Sequence, residues 1–186
     1  QAGESLLVTG AAGGTGTAAI QLGKAAGARV IAVAGGAEKA ELAARVGADV
    51  VIDHQQTPDW VDAVRAASDG GVDVAYDPVG GETFHQVRRC MGWDGRLLVI
   101  GFVAGIPEVA TNHALLKSYS IVGVHWGASL AKFPESLRTQ MTTLLGMAST
   151  GAVDPPLYPP YPFESAASAL QDLADRKTYG KVVVRR

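Results

Sequence analysis

The stretch Val8-Thr9-Gly10-Ala11-Ala12-Gly13-Gly14-Thr15-Gly16 decides the fold. It follows an apolar run, Leu6 to Val8, that reads as a strand, and it opens a helix-forming run from Gly14 to Ala26. Glycines at a strand-to-helix junction permit a tight turn. They also let backbone N–H groups approach a pyrophosphate, which then rests on the helix N-terminus. A glycine pattern alone says little, but this one sits where a βαβ unit must turn, and further units follow it.

Outward from the turn, short β-branched runs alternate with Ala-rich helical stretches, the pattern of a doubly wound parallel sheet. Strands are predicted at Leu6–Val8, Val30–Val33, Val50–Asp53, Val72–Tyr76, Leu97–Ile100 and Ser120–Val124. Helices are predicted at Gly14–Ala26, Glu38–Val46, Asp59–Ala67 and Glu82–Cys90, with a short piece at His113–Lys117 and a longer one at Pro134–Ala148. The strands are apolar on both faces, as buried parallel strands must be. The texture then changes. Asp154 to Pro162 holds five of the 9 prolines and reads as an extended segment, before an amphipathic helix at Phe163–Asp175 and a closing strand at Lys181–Val184. The fold class is therefore α/β, a Rossmann-type six-stranded sheet followed by a C-terminal helix and strand.

Composition bounds the function. The 186 residues suffice for a full core, and 47% hydrophobic with 18% charged residues is ordinary for a globular chain. Sixteen basic residues against 18 acidic ones give a net charge of -2, with no basic and aromatic stripe for nucleic acid. Apolar runs such as Leu97–Ile100 are too short to cross a membrane. The single cysteine, Cys90, allows no internal disulfide and fits a reducing compartment, so a cytoplasmic location is expected. The chain opens at Gln1 without a signal-peptide pattern and enters its first strand almost at once, as expected of a segment from within a longer protein.

Two registers fit the turn. Ala11-x-Gly13-x-x-Gly16 is the dinucleotide fingerprint with alanine for its first glycine, whereas Thr9-Gly10-x-x-x-Gly14-x-Gly16 resembles the turn of short-chain dehydrogenases. The second also requires Tyr-x-x-x-Lys, and no lysine here has a tyrosine four residues before it. The first register is preferred. An NAD site would then place Asp or Glu at the end of the second strand, on the ribose 2′-hydroxyl. Ala34-Gly35-Gly36 stands there instead, leaving room for a 2′-phosphate. Lys39 follows near the next helix start, where its ammonium and the helix N-terminus both favour an anion. NADP(H) is the expected cofactor, and His54, past the third strand, is a candidate for the adenine edge.

Six segments together resemble the quinone oxidoreductase (zeta-crystallin-like) branch of the medium-chain dehydrogenase/reductase superfamily. They are Gly10 to Gly16, Gly35-Gly-Ala-Glu-Lys39, Gly47 to His54, Asp77-Pro-Val-Gly-Gly81, Gly95 to Gly101 and Gly180-Lys-Val-Val-Val184, and they span nearly the whole chain. The resemblance implies backbone contacts to the pyrophosphate from Gly13, Gly14 and Thr15, with Gly35, Lys39 and His54 around the 2′-phosphate and adenosine. It implies Val79 and Gly80 at the nicotinamide ribose, Phe102 and Val103 along the nicotinamide, and Lys181 near the cofactor. It further implies hydride transfer from NADPH to a quinone or α,β-unsaturated carbonyl compound without zinc, and an N-terminal catalytic domain that this chain lacks. Residues 1–150 would form the cofactor domain, and 151–186 would return toward the absent domain. The isolated chain is then expected to bind cofactor but turn over little substrate.

Other chemistries find no support. The histidines and Cys90 show no C-x-x-C or H-E-x-x-H spacing, so no metal site is expected. Ser5 and Ser118 lack the G-x-S-x-G setting of a hydrolase. Two rival readings remain, an enoyl-thioester reductase (alone or within a synthase) and a non-catalytic NADPH-sensing module. The apolar edge Ser120 to Val124 invites pairing with a second copy, and relatives of the branch often dimerise there.

Overall fold

Six parallel strands lie in the order β3-β2-β1-β4-β5-β6 in the computed structural model, which describes every residue from Gln1 to Arg186. They are β1 (Ser5–Val8), β2 (Arg29–Ala34), β3 (Val50–Asp53), β4 (Val72–Asp77), β5 (Met91–Val99) and β6 (Ser120–Gly123). Between them run the helices α1 (Gly14–Ala25), α2 (Ala37–Arg45), α3 (Trp60–Ala67), α4 (Gly81–Cys90) and α5 (Asn112–Lys117). Each strand is short and apolar, and each crossover carries one helix back across the sheet, as parallel pairing demands.

Alternate strand residues point to opposite faces, so the same strands feed two cores. Leu7, Ile31, Val33 and Ile52 pack with Trp60, Val64, Phe84 and Val87 of α3 and α4. Val8, Val30, Ala32 and Ala34 pack with Ile20 of α1 and Ala43 of α2. The strand order reverses between β1 and β4, whose crossovers leave for opposite faces. A crevice at their carboxyl ends follows from that topology.

The remainder departs from the pattern read along the sequence. β5 begins at Met91 rather than Leu97, because Met91 pairs with Val72 ahead of a register shift that absorbs Gly92 to Gly95. A helix not anticipated, α6 (Trp126–Lys132), precedes α7 (Pro134–Ser149), and neither buries a residue. After the proline-rich segment come β7 (Tyr161–Pro162), a 3-10 turn at Phe163–Ser165, α8 (Ala166–Ala174) and β8 (Val184–Arg185). The closing strand is thus shorter and later than Lys181–Val184, and it pairs with β7 in a separate two-stranded ladder. Gly180 and Lys181 make isolated bridges instead, to Gly13 and Leu157.

Candidate functional site

All six sheet strands end at one rim, and the glycine turn occupies its centre. Gly13 donates to the Gly10 carbonyl at 3.0 Å, closing the turn over the buried Ala11 and Ala12. Thr17 N and Oγ1 both donate to the Gly13 carbonyl, which anchors the first turn of α1. No side chain caps that helix, and its first turn contains no acidic residue. The leading N–H groups, at Gly14, Thr15 and Gly16, therefore remain available to an anion. Among the glycines of the turn, Gly16 has the tightest quarters, since a Cβ there would lie 2.3 Å from the Gly10 carbonyl oxygen. That is the close-packing glycine of the first register, Ala11-x-Gly13-x-x-Gly16.

Lys181 comes to the same place from the far end of the chain. Gly180 donates to the Ala12 carbonyl at 2.7 Å, and the Lys181 side chain then crosses Gly14, its Nζ 3.0 Å from where a Cβ would stand. A cavity of about 250 Å³ flanks this contact, lined among others by Thr15, Leu22, Tyr76, Val153 and Lys181. Burial raises the Tyr76 phenol above its ordinary pKa, so the group stays neutral there. A larger depression of about 390 Å³ near Asp69, Trp93 and Leu116 lies by the amino ends of the strands and shares no residue with the turn.

At the exit of β2, His54 covers the glycine pair. A Cβ on Gly35 would stand 2.7 Å from the His54 Nε2, so only glycine lets the imidazole lie there. Asp53 braces the same corner by accepting from Gly36 N at 2.8 Å and Gln55 N at 3.0 Å. Those two amides hold its carboxyl below the usual aspartate range. Lys39 is not joined to this pair; its ammonium donates to the carbonyl of Arg176, in the turn after α8.

Beyond β4 and β5, two loops are sewn together. Val103 N donates to the Pro78 carbonyl at 3.4 Å, Ala104 N to Val79 at 2.7 Å, and Gly81 N to Gly105 at 2.8 Å. Val79, Gly80, Phe102 and Val103 are thereby gathered, with Phe102 and Val103 exposed. Asp77, 1% exposed, was not singled out from the sequence, yet it organises the crevice. It accepts from Thr9 Oγ1 at 2.7 Å, from Val79 N at 3.0 Å and from Gly80 N at 3.3 Å. The ends of β1 and β4 are locked together by one carboxylate. A signal was available, an aspartate ending an apolar strand just before Pro-Val-Gly-Gly, but its partner Thr9 is remote in sequence.

The sheet order, the switch-point crevice and the glycine turn define a Rossmann-type α/β domain. Residues 14–143 match the family described as "Zinc-binding dehydrogenase". The chain belongs to that family, within the medium-chain dehydrogenase/reductase superfamily. It is 36% identical over 187 residues to quinone oxidoreductase-like protein 2 of Mus musculus, covering 99% of this chain and 53% of the relative. A probable oxidoreductase from Mycobacterium abscessus superposes with a TM-score of 0.87 at 38% identity, over 100% of this chain and 55% of the other. The Escherichia coli quinone oxidoreductase complexed with NADPH gives a TM-score of 0.86 at 27% identity, over 98% and 58%. This chain spans about half the length of the curated relatives it matches. No group of three or more His, Cys, Asp or Glu side chains is placed to hold a metal. No helix is long and apolar enough to cross a membrane.

Proposed function

We propose that the chain binds NADP(H) as the cofactor-binding part of an oxidoreductase that delivers hydride to a quinone or an α,β-unsaturated carbonyl compound without zinc. The observation that carries this reading is the grouping at the carboxyl rim. An uncapped helix N-terminus lies under Lys181, beside a β2 exit that bears two glycines instead of a carboxylate. The likeness to quinone oxidoreductases, one of them complexed with NADPH, supports the same reading.

In this assignment Gly14 and Thr15 present backbone N–H groups to the pyrophosphate and Lys181 adds a countercharge, whereas Gly13, whose N–H is spent on the Gly10 carbonyl, lines the cradle without a side chain in the way. Gly35 and His54 form the adenosine corner. The Lys39 ammonium, which has three donors, would take the 2′-phosphate as a charge-assisted partner beside the Arg176 carbonyl. Val79, Gly80, Phe102 and Val103 wall the nicotinamide end, where the exposed apolar pair would exclude water. The bound nicotinamide supplies the hydride, and these residues fix its position and surroundings.

Residues 1–150 are read as the cofactor domain and 151–186 as a segment leading to the rest of the protein. Because the relatives are about twice as long, catalytic turnover is assigned to the whole protein. β6 is an open sheet edge on which Ile121 and Val122 are exposed, with Val124 exposed just beyond it, and it is read as a homodimer seam.

Titration with NADPH and NADH tests the cofactor assignment. Lys39→Ala is expected to weaken NADPH about tenfold or more, the worth of one charge-assisted hydrogen bond, and to leave NADH unchanged. Equal affinity for the two cofactors, indifferent to the substitution, would overturn it. A panel of quinones and enones offered to the full-length protein decides the acceptor.

A further inference from the structure

We propose that residues 154–181 form a strap that the cofactor fastens, with Gly180 and Gln21 as positioning residues that hold Lys181 over the phosphate cradle. The inference rests on the NADP(H) reading above.

The strap is hydrogen-bonded to the Rossmann domain at three points, two of which adjoin a place where a phosphate would sit. At its start, the buried Gln21 amide of α1 grips Asp154 twice: Nε2 donates to the Asp154 carbonyl at 2.6 Å and Oε1 accepts from Asp154 N at 2.9 Å. At its end, Gly180 N reaches the Ala12 carbonyl, and Gly180 pairs with Gly13 in the turn itself. Between them, the Arg176 carbonyl takes the ammonium of Lys39 at the entrance of α2. The strap is also fastened to itself. Lys181 N donates to Pro156 at 2.9 Å, Tyr158 N donates to Lys181 at 2.9 Å, and Tyr158 stacks on Tyr161 and meets the edge of Tyr179. It can therefore move as one body.

Charge makes this arrangement incomplete. Neither Lys181 nor Lys39 takes part in an ion pair, although Lys24, Arg96 and Lys177 do. Lys181 lies at the positive end of α1, where a cation is disfavoured, and Lys39 meets only a neutral carbonyl. A pyrophosphate between Lys181 and α1 would be shared by strap and turn. A 2′-phosphate at Lys39 would do the same at the second crossing. A ligand that needs the docked strap must stabilise docking by the same free energy. Gly180 makes the geometry possible. Its φ of +55° suits glycine, and a Cβ there would lie 2.2 Å from the Pro156 carbonyl oxygen, so a side chain would part the two limbs and carry Lys181 off the turn.

Residue-resolved hydrogen exchange on the 186-residue chain provides the test, with NADPH, NADH and adenosine 2′,5′-bisphosphate as probes and affinities measured in parallel. Saturating NADPH is expected to slow exchange at Asp154, Tyr158 and Gly180 about tenfold or more. Adenosine 2′,5′-bisphosphate, which lacks the pyrophosphate bridge, should protect Gly180 less. Lys181→Met should weaken NADPH and NADH alike, about tenfold. At saturation it should abolish the added protection at Gly180 while the first turn of α1 stays protected. Lys181→Arg should restore that protection. Gly180→Ala and Gln21→Ala should share the Lys181→Met pattern, and Lys181→Met decides the matter if either fails to fold. NADPH that binds and protects α1 but leaves Asp154 and Gly180 unchanged would overturn the strap alone. Absence of NADPH binding would overturn the strap together with the cofactor reading.

Discussion

Gly16 leaves no room for a methyl group. A Cβ would meet the Gly10 carbonyl oxygen at 2.3 Å and the Ala11 Cα at 2.8 Å, and backbone cannot rotate aside as a side chain can. Gly16→Ala is expected to cost about 3 kcal/mol of unfolding free energy, the upper end for overpacking, visible as a lower urea midpoint. That glycine was legible because the fingerprint assigns its third position to close packing. Asp77 was not, although it closes the same crevice. Its hydrogen bond to Thr9 spans 68 positions and exists only because β1 and β4 become neighbours. Lys39 lies between the two cases: the sequence placed it at the entrance of α2, but its contact with Arg176 depends on how the C-terminal segment packs.

Among the elements, the junction of β2, β3 and α2 is held by a titrating group. Ionised Asp53 accepts the N–H of Gly36, the residue preceding α2, and that of Gln55, which lowers its pKa in the folded state. The unfolded chain then takes up the proton first on acidification. The stabilisation is complete above the ordinary aspartate value of about 3.9 and is lost as pH falls through the lower folded value. Thermal unfolding followed from pH 6 to about pH 2.5 should show this loss, and Asp53→Asn should flatten the acid limb of the profile. Most strands and helices could be read from apolar periodicity because they bury a face, and β6, α5 and α7 were read from their apolar residues although they bury none. The failures have tertiary causes. The start of β5 is recruited by Val72 across a run rich in glycine, and α6, only 7 residues long, is too short to display a helical period. Gly180 and Lys181 satisfy their backbone groups on Ala12, Pro156 and Tyr158, which leaves β8 to begin only at Val184.

At the scale of the molecule, the sequence carried the alternation of strands and helices but not the strand order, which depends on where each crossover lands. The apolar surface left open is concentrated late in the chain. Ile121 and Val122 on β6 are about two-fifths exposed, as are Leu137 and Met141 on α7. If β6 is the seam between two copies, Val122→Lys should convert dimer to monomer in sedimentation equilibrium, and should remove any dependence of the apparent melting temperature on protein concentration. A monomeric parent chain would count against the seam.

The contact between Gly180 and Ala12 also bears on how the chain is made. The glycine turn leaves the ribosome well before the residues that cover it, since Ala12 and Gly180 lie far apart along the chain. At roughly 5–20 residues per second, the two are separated by a delay on the order of ten seconds. For that interval the nascent chain can hold a sheet and an open cradle without its closing lysine. In the proposed scheme, a cofactor would meet a half-built site during that interval and would be held about tenfold less tightly until translation has passed Lys181.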